Sequence, residues 1–222
     1  MRVLLIDTAG SEGSIALADT EFSPTVVAAE ALPGRTSSER LVPVLKRLME
    51  RRGWRLGELA AIVVVHGPGS FTGVRVGLSA AKGLSEASGV PLIAVSRLAV
   101  LAASVNDRGG QVHAVLNAGR GEFYYGEYAG QSLVREALMN RQDVVTAVGD
   151  GLVVACETKM AEALSVLVPR MVDEPSAGYA LPIALQRLRD GNFDDAATLD
   201  ANYLRKTDAE IFAKAAAGMT VR

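Results

Sequence analysis

Short apolar runs separated by turn residues open the chain. Val3-Leu4-Leu5-Ile6 closed by Asp7, then Ser14–Asp19, then Thr25–Leu32, read as three successive strands, because branched aliphatic runs of this length between turn formers favour buried extended chain. Thr8–Gly13 is the turn between the first two, and Pro33-Gly34 ends the third. The period then changes. Leu41, Val44, Leu45, Leu48 and Met49 recur at helical spacing, with Arg40, Lys46, Arg47 and Glu50 between them. Thr36 and Glu39 predict a capping box at the start of this helix, Pro43 removes one backbone bond inside it, and Gly53 ends it. Ala60–Val65 lacks polar alternation and so predicts a strand covered on both faces. A helix follows from the next glycine-rich turn to Ser88 and stops at Gly89; Pro91–Val95 is a further strand and Arg97–Ser104 a further helix.

This order, three strands and then helices alternating with strands, describes a ribonuclease-H-like half. Asp107-Arg108-Gly109-Gly110 reads as a link, after which the pattern restarts: Gln111–Leu116 as a strand, Asn117–Gly121 as a turn, Glu122–Tyr128 and Ser132–Leu138 as strands. Leu4-Leu5-Ile6-Asp7-Thr8-Ala9-Gly10 and Ala114-Val115-Leu116-Asn117-Ala118-Gly119-Arg120 share a form, an apolar strand closed by a short polar residue and a turn, which points to an internal duplication. Val144–Val148 is expected as a strand, Met160–Leu167 and Ala180–Arg189 as helices, and the alanine-rich Ala209–Gly218 as a terminal helix. The expected fold is α/β, two mixed-sheet ribonuclease-H-like halves over 1–108 and 109–222, with the end of the second packing back on the first.

Composition narrows the function. Apolar residues make up 49% of the 222, enough for a sizeable core, and a net charge of −2 gives no global basic field to draw in nucleic acid. The single Cys156 excludes an intramolecular disulfide and fits a reducing compartment. Asp7 falls too early for a signal peptide, and no apolar run reaches the length of a membrane span. A cytoplasmic protein without membrane contact is expected.

Gly67-Pro68-Gly69-Ser70-Phe71-Thr72-Gly73-Val74-Arg75-Val76-Gly77 lies between a strand and a helix. Its amides at a helix N-terminus would suit phosphate, but the lysine of a Walker loop is missing. Alternatively, its glycines permit close packing. Gly69, Gly73, Gly77, Ala80, Ala81, Leu84 and Ala87 make one side of the helix nearly all small, which suits either the protein's own sheet or another molecule. The stripe of Leu41, Val44, Leu45 and Leu48, widened by Val42 and Met49, allows the same two uses. Asp7 and Thr8 close the first strand where an acid could orient a metal-bound water or phosphate; Asn117, at the equivalent place in the second half, is uncharged. His66 and His113 are the only histidines and form no helical metal pair. Arg120-Gly121-Glu122-Phe123-Tyr124-Tyr125 and Asn202-Tyr203-Leu204-Arg205-Lys206 gather charge and aromatics at the edges of the pattern.

Together these residues resemble the bacterial TsaB (YeaZ-like) family. The glycine-rich stretch is the most specific motif, supported by Ile6-Asp7-Thr8, Ser38-Glu39-Arg40-Leu41-Val42-Pro43 and Gly119-Arg120-Gly121-Glu122. The resemblance implies a duplicated actin-like ATPase fold and a non-catalytic, scaffolding role in forming N6-threonylcarbamoyladenosine on ANN-decoding tRNAs. It implies a catalytic partner of the TsaD type, a TsaE ATPase in a larger complex, threonylcarbamoyl-adenylate from TsaC, a homodimer when alone, and tRNA reached only through the complex. No cofactor or metal is implied: where TsaD-like relatives place a histidine pair, this chain reads Arg35-Thr36-Ser37-Ser38-Glu39-Arg40. The family's partner-binding helices map to Glu39–Arg51 and Gly73–Ser88, so Leu41, Val44, Leu45, Leu48, Gly73, Gly77, Ala80, Ala81 and Leu84 are the expected interface. Asp7, Thr8, Gly69, Ser70, Asn117 and Arg120 are the expected vestigial nucleotide site. Where the family has Asp-Ala-Arg, this chain has Asn117-Ala118-Gly119-Arg120. The alternatives are a small-molecule kinase of the same superfamily, with Asp7 orienting Mg²⁺, and a metallopeptidase, which the missing histidine pair disfavours.

Overall fold

In the computed structural model, which describes residues 1–105 and 110–205, the apolar runs assemble into two five-stranded sheets. The first is built from β1 (Arg2–Asp7), β2 (Gly13–Asp19), β3 (Thr25–Leu32), β4 (Ala61–Val65) and β5 (Leu92–Val95), with α1 (Ser37–Arg52), α2 (Phe71–Ser88) and α3 (Arg97–Ala103) between and after the later strands. The second repeats this succession with β6 (Gln111–Gly119), β7 (Glu122–Ala129), β8 (Ser132–Asn140), α4 (Arg141–Val148), β9 (Leu152–Ala155), α5 (Thr158–Ala163), β10 (Arg170–Met171) and α6 (Leu181–Arg189). Strand order is β3-β2-β1-β4-β5 in one sheet and β10-β9-β6-β7-β8 in the other, the same order from opposite ends. The first three strands of each half pair antiparallel and the last two add in parallel. The duplication expected from two short stretches of sequence extends to the whole topology.

Alternation along the strands sorts the core into layers. Leu4, Ile6, Ile62 and Val64 point to one face of the first sheet, where Leu41, Val44, Leu45 and Leu48 of α1 and Leu78 and Ala81 of α2 cover them. Val3, Leu5, Val63 and Val65 point the other way and meet Val100 of α3 and Leu181, Ala184 and Leu188 of α6. Leu98, Leu101 and Ala102 of α3 pack on Val112, Ala114 and Leu116 of β6. A helix of the second half thus covers the first sheet, and a helix of the first half covers the second. Helices α4 and α5 close the far side through Val144, Val148 and Met160, joined by Leu164 just after α5.

Several expectations are corrected. No capping box starts α1: the Thr36 hydroxyl donates 2.8 Å back to the Pro33 carbonyl, a 3-10 turn over Gly34–Thr36 leads in, and Thr36 makes no side-chain cap. Val144–Val148 is helix, because Asn140 accepts from the Asp143 amide as an N-cap and places Val144 and Val148, one turn apart, on the core. Asn117–Gly119 still belongs to β6, so the turn shrinks to Arg120 and Gly121, both in left-handed backbone. Strands β9 and β10 were not anticipated. The expected link Asp107-Arg108-Gly109-Gly110, except for Gly110, and the terminal helix Ala209–Gly218 lie outside the described residues.

The expected partner face is also corrected in large part. Leu41, Val44, Leu45, Leu48, Gly77 and Ala81 are buried in the chain's own core, and Ala80 and Leu84 are half-buried against it. Gly73 and Gly77 are small because β1 ends against them. A Cβ on Gly73 would lie 1.9 Å from the Thr8 carbonyl oxygen, and one on Gly77 would lie 2.4 Å from the Thr8 hydroxyl. Gly83, ten residues along the same helix, has nothing within 4 Å of the Cβ position. The same substitution therefore has opposite signs on one helix. Gly73→Ala is expected to destabilise the chain by roughly 2–4 kcal/mol through the backbone clash. Gly83→Ala should stabilise it by about 0.5–1 kcal/mol through helix propensity. Urea denaturation of the two variants checks both, and equal effects of either sign would contradict this packing.

Candidate functional site: the cleft between the sheets

Strands β1 and β6, the central strands of their sheets, end at the cleft where the halves meet. Around the end of β1 the contacts are dense. The Thr8 hydroxyl donates 2.6 Å to the Gly73 carbonyl, and the Ser70 amide donates 2.8 Å to the Ala9 carbonyl. A Cβ on Gly69 would lie 2.2 Å from that same carbonyl oxygen. Ser70 caps α2 itself, its hydroxyl accepting from the Gly73 amide at 3.2 Å. The glycine-rich turn thus serves close approach of two backbone segments of one chain, and the Gly73 amide that an anion would use is satisfied by the turn's own serine.

The expected nucleotide-site residues are only partly brought together. Gly69 and Arg120 line a cavity of about 490 Å³ together with Phe71, Tyr124, Tyr203 and Arg205. Thr8 and Ser70 line a different one, of about 360 Å³, rich in hydroxyls from Ser11, Ser37, Ser38 and Thr72. Asn117 lines neither. It is exposed, its carboxamide oxygen accepts from the Gly119 amide at 2.7 Å, and its backbone amide donates to the Glu157 carboxylate.

Asp7 is buried at 3% exposure. Its carboxylate accepts from the Ala9 amide at 2.8 Å. Loss of hydration raises its pKa to about 6, with the nearby Arg97 guanidinium opposing the rise and Glu174 adding to it. Arg97, at the start of α3, is buried and ion-paired with Glu174, a second-half residue that follows β10. Glu157 faces the same guanidinium with its pKa raised by burial, and burial raises the Cys156 thiol to about 11, which leaves it a protonated, poor nucleophile. This Arg97-centred cluster was missed by sequence reasoning: Arg97 reads as an ordinary first-turn residue, and Glu174 falls in a stretch with no periodicity.

The C-terminal segment closes the cleft on the other side. Asn202 donates its amide to the His66 carbonyl at 2.8 Å and its side chain to Glu136 at 2.7 Å. Tyr203 packs on Phe71 with ring centroids 6.0 Å apart and accepts from Arg75, whose guanidinium lies 3.7 Å from the Phe71 ring centroid. Arg205 donates to the carbonyls of Ala118 and Gly119 and pairs with Glu122, which holds the β6–β7 turn in place. The basic, aromatic element near the end of the sequence thus joins α2 to the second sheet. The two imidazoles are engaged within the chain: His66 with the Asp200 carbonyl at 3.1 Å, and the buried His113 with the Tyr125 hydroxyl at 2.7 Å. Among the described residues, no group of three or more His, Cys, Asp or Glu side chains is arranged to hold a metal, and no helix is long and apolar enough to cross a membrane.

The repeated strand order around a central cleft defines a duplicated ribonuclease-H-like protein of the actin-like ATPase type. Residues 30–162, more than half of the chain, match the family model described as TsaD: tRNA N6-adenosine threonylcarbamoyltransferase. The chain belongs to this family, on its TsaB (YeaZ-like) side. It is 37% identical over 130 residues to the tRNA threonylcarbamoyladenosine biosynthesis protein TsaB of Escherichia coli, covering 58% of this chain and 55% of that protein. The Bacillus subtilis protein of the same name is 33% identical over 149 residues, covering 66% of this chain and 63% of that one. The matched region thus spans little more than half the length of these curated relatives. In three dimensions, a Pseudomonas aeruginosa structure described as an uncharacterized protein with similarity to peptidase YEAZ superposes with a TM-score of 0.76 at 28% identity, covering 92% of this chain and 99% of that one.

Ionisation of Asp7 gives the stability a definite pH dependence. A carboxyl whose folded pKa lies above its unfolded value of 3.8 favours the fold while protonated. That contribution is complete below the unfolded value and is lost as pH rises through about 6. Asp7→Asn keeps an acceptor for the Ala9 amide and removes the charge. The variant is expected to match the parent near pH 4 and to exceed its stability at pH 7.5 by on the order of 2–3 kcal/mol. Denaturant melts across this range measure the difference; a constant offset would show that Asp7 ionises freely in the fold.

Proposed function

We propose that this chain is a non-catalytic accessory subunit of the machinery that forms N6-threonylcarbamoyladenosine on tRNA, and that it works by docking the outer sides of α1 and α2 against a catalytic TsaD homologue. The observation that carries the docking surface is Gly83. An exposed glycine inside an eighteen-residue helix costs helix stability, and among the described residues nothing outside its own helix turn comes within 4 Å of its Cβ position. A glycine facing outward is what close approach of a second backbone requires. Val42 on the neighbouring α1 is 56% exposed for an aliphatic side chain, and exposed Pro43 follows it. Both helices cover the same face of the first sheet, so their outer sides face one way.

An accessory role agrees with the cleft. The glycines that a kinase would hold against phosphate are held against Thr8 and Ala9, Asp7 is buried, and the second-half counterpart of Asp7 is the uncharged Asn117. Docking would activate the partner by binding its active arrangement more tightly than its inactive one. A TsaE-type ATPase would join the larger complex, and two copies of this chain would pair through the same helices when the partner is absent. The relatives' names, taken with the family match, support this placement.

Substitutions at buried Gly77 or Ala81 would damage the fold and report nothing about docking. Val42→Arg and Gly83→Arg place a cation on the outer surface without touching the core. Each is expected to leave the melting transition nearly unchanged. Each should weaken co-purification with the TsaD homologue by at least about tenfold, with a parallel loss of threonylcarbamoyl transfer to tRNA in the reconstituted reaction. Normal binding by both folded variants would remove this surface from the complex.

A further inference from the structure

We propose that an arginine row on the flank of α1 that faces β3 binds the phosphate backbone of tRNA. Between positions 35 and 55 the chain carries seven arginine or lysine residues and two carboxylates, Glu39 and Glu50, a local charge of +5 in a chain whose whole charge is −2. The fold gathers this excess on one side. Arg40, Arg47 and Arg51 recur at intervals of seven and four, so they stack along one line of the helix. That line is turned toward β3: Arg40 and Arg47 both pair with Glu30, Arg40 at 3.8 Å, and Arg51 acts on the same carboxylate from further off. Arg52, exposed in the last turn, makes no ion pair among the described residues.

One carboxylate thus stands against three guanidiniums. The same shortage holds past the helix end, where Glu58 serves both Arg2 and Arg55. A guanidinium carries five N–H donors, so one pairing leaves most of them for an anion from outside. Helix stability alone does not select the row. Cations in the last turn complement the helix dipole, which covers Arg51 and Arg52, but Arg40 ends the first turn, where a cation is disfavoured. From Arg40 to Arg51 the helix rises about 16 Å, enough to pass several successive phosphates of a nucleic-acid strand. A line of like charge suits such a backbone better than the core of a protein contact, where charges are depleted. Arginine also grips phosphate with two parallel bonds. The identification of the polymer as tRNA rests on the accessory role proposed above. Val42, on the proposed docking side, lies roughly 140–180° around the helix from the row, so RNA and a protein partner do not compete for one surface.

The test uses the full chain in complex with a TsaD homologue, an ANN-decoding tRNA transcript as probe, and a variant combining Arg40→Gln, Arg47→Gln and Arg51→Gln. Glutamine keeps helix propensity and removes the charge. Co-purification with the TsaD homologue is expected to stay at the parent level, while tRNA affinity at about 100 mM salt falls at least about tenfold. The slope of log affinity against log salt should shrink by about 2–3, since each lost phosphate contact removes roughly 0.7–0.9. Lys159→Gln with Arg189→Gln, cations of the second half, should change neither. A second variant, Arg51→Gln with Arg52→Gln, leaves the Glu30 ion pairs intact and reads the same loss, smaller in slope, if the first folds poorly. Should even the parent fail to dock, tRNA binding by the chain alone at about 50 mM salt, lost in the same variants, upholds the row while the accessory role falls. Affinity and slope equal to the parent's in both variants overturn the proposal. So does a loss of tRNA binding that accompanies loss of docking. Competition by polyglutamate equal to that by unlabelled tRNA overturns it too, by making the occupant an acidic protein.

Discussion

The close approach of the glycine-rich turn to the end of β1 is the constraint on which the rest of the molecule depends. Gly69 and Gly73 let α2 start directly on the carbonyls of Ala9 and Thr8, and the Thr8 hydroxyl and Ser70 amide lock that contact. With the start of α2 fixed there, Leu78 and Ala81 fall on the first sheet and Gly83 falls on solvent. Phe71 and Arg75 fall where Tyr203 returns to meet them. A helix displaced by one methyl group at Gly73 would move all of these together, since a packed helix shifts as a rigid body rather than bending around a clash.

The two halves are held by more than adjacency. Helices α3 and α6 each pack on the other half's sheet, the 192–205 segment runs along β5 and α2 before reaching the β6–β7 turn, and Glu174 joins Arg97 and Ser11 across the cleft. In a fold of this architecture an open cleft permits hinge motion. Here hydrogen bonds and ion pairs cross it on both sides. That arrangement would suit the docking proposed for α1 and α2, because a rigid surface loses less entropy on association than a mobile one.

Much of the first half was legible because its signals are local. Branched runs gave β1 to β5, the three-and-four spacing of Leu41, Val44, Leu45 and Leu48 gave α1, and Gly53 and Gly89 end α1 and α2 in left-handed backbone as expected. The second half was less so. Val144–Val148 is β-branched enough to read as a strand, and only the Asn140 cap and the burial of residues four apart reveal a helix. The two-residue β10 carries no periodic signal at all. The direction of a helix face was the larger difficulty. Small residues at three-and-four spacing on α2 mark close contact, but the sequence does not say with what; the structure puts Thr8 there rather than another molecule. The Arg97 cluster joins residues far apart in sequence, and such a juxtaposition leaves no trace in spacing.

Two places depart from what stability alone would select. Gly83 leaves an exposed helix interior without a side chain, and Asp7 keeps a carboxyl in a buried site where ionisation opposes folding at neutral pH. Local departures of this kind persist where another requirement outweighs them. At Gly83, among the described residues outside its own helix turn, nothing comes within 4 Å of the Cβ position. Asp7 is different, because every group that acts on it belongs to the chain: Ala9 binds its carboxylate, Arg97 attracts it, and Glu174 repels it. An uncharged residue would satisfy Ala9 equally well. What only a carboxyl supplies is a negative charge facing Arg97, beside the carboxylates of Glu174 and Glu157.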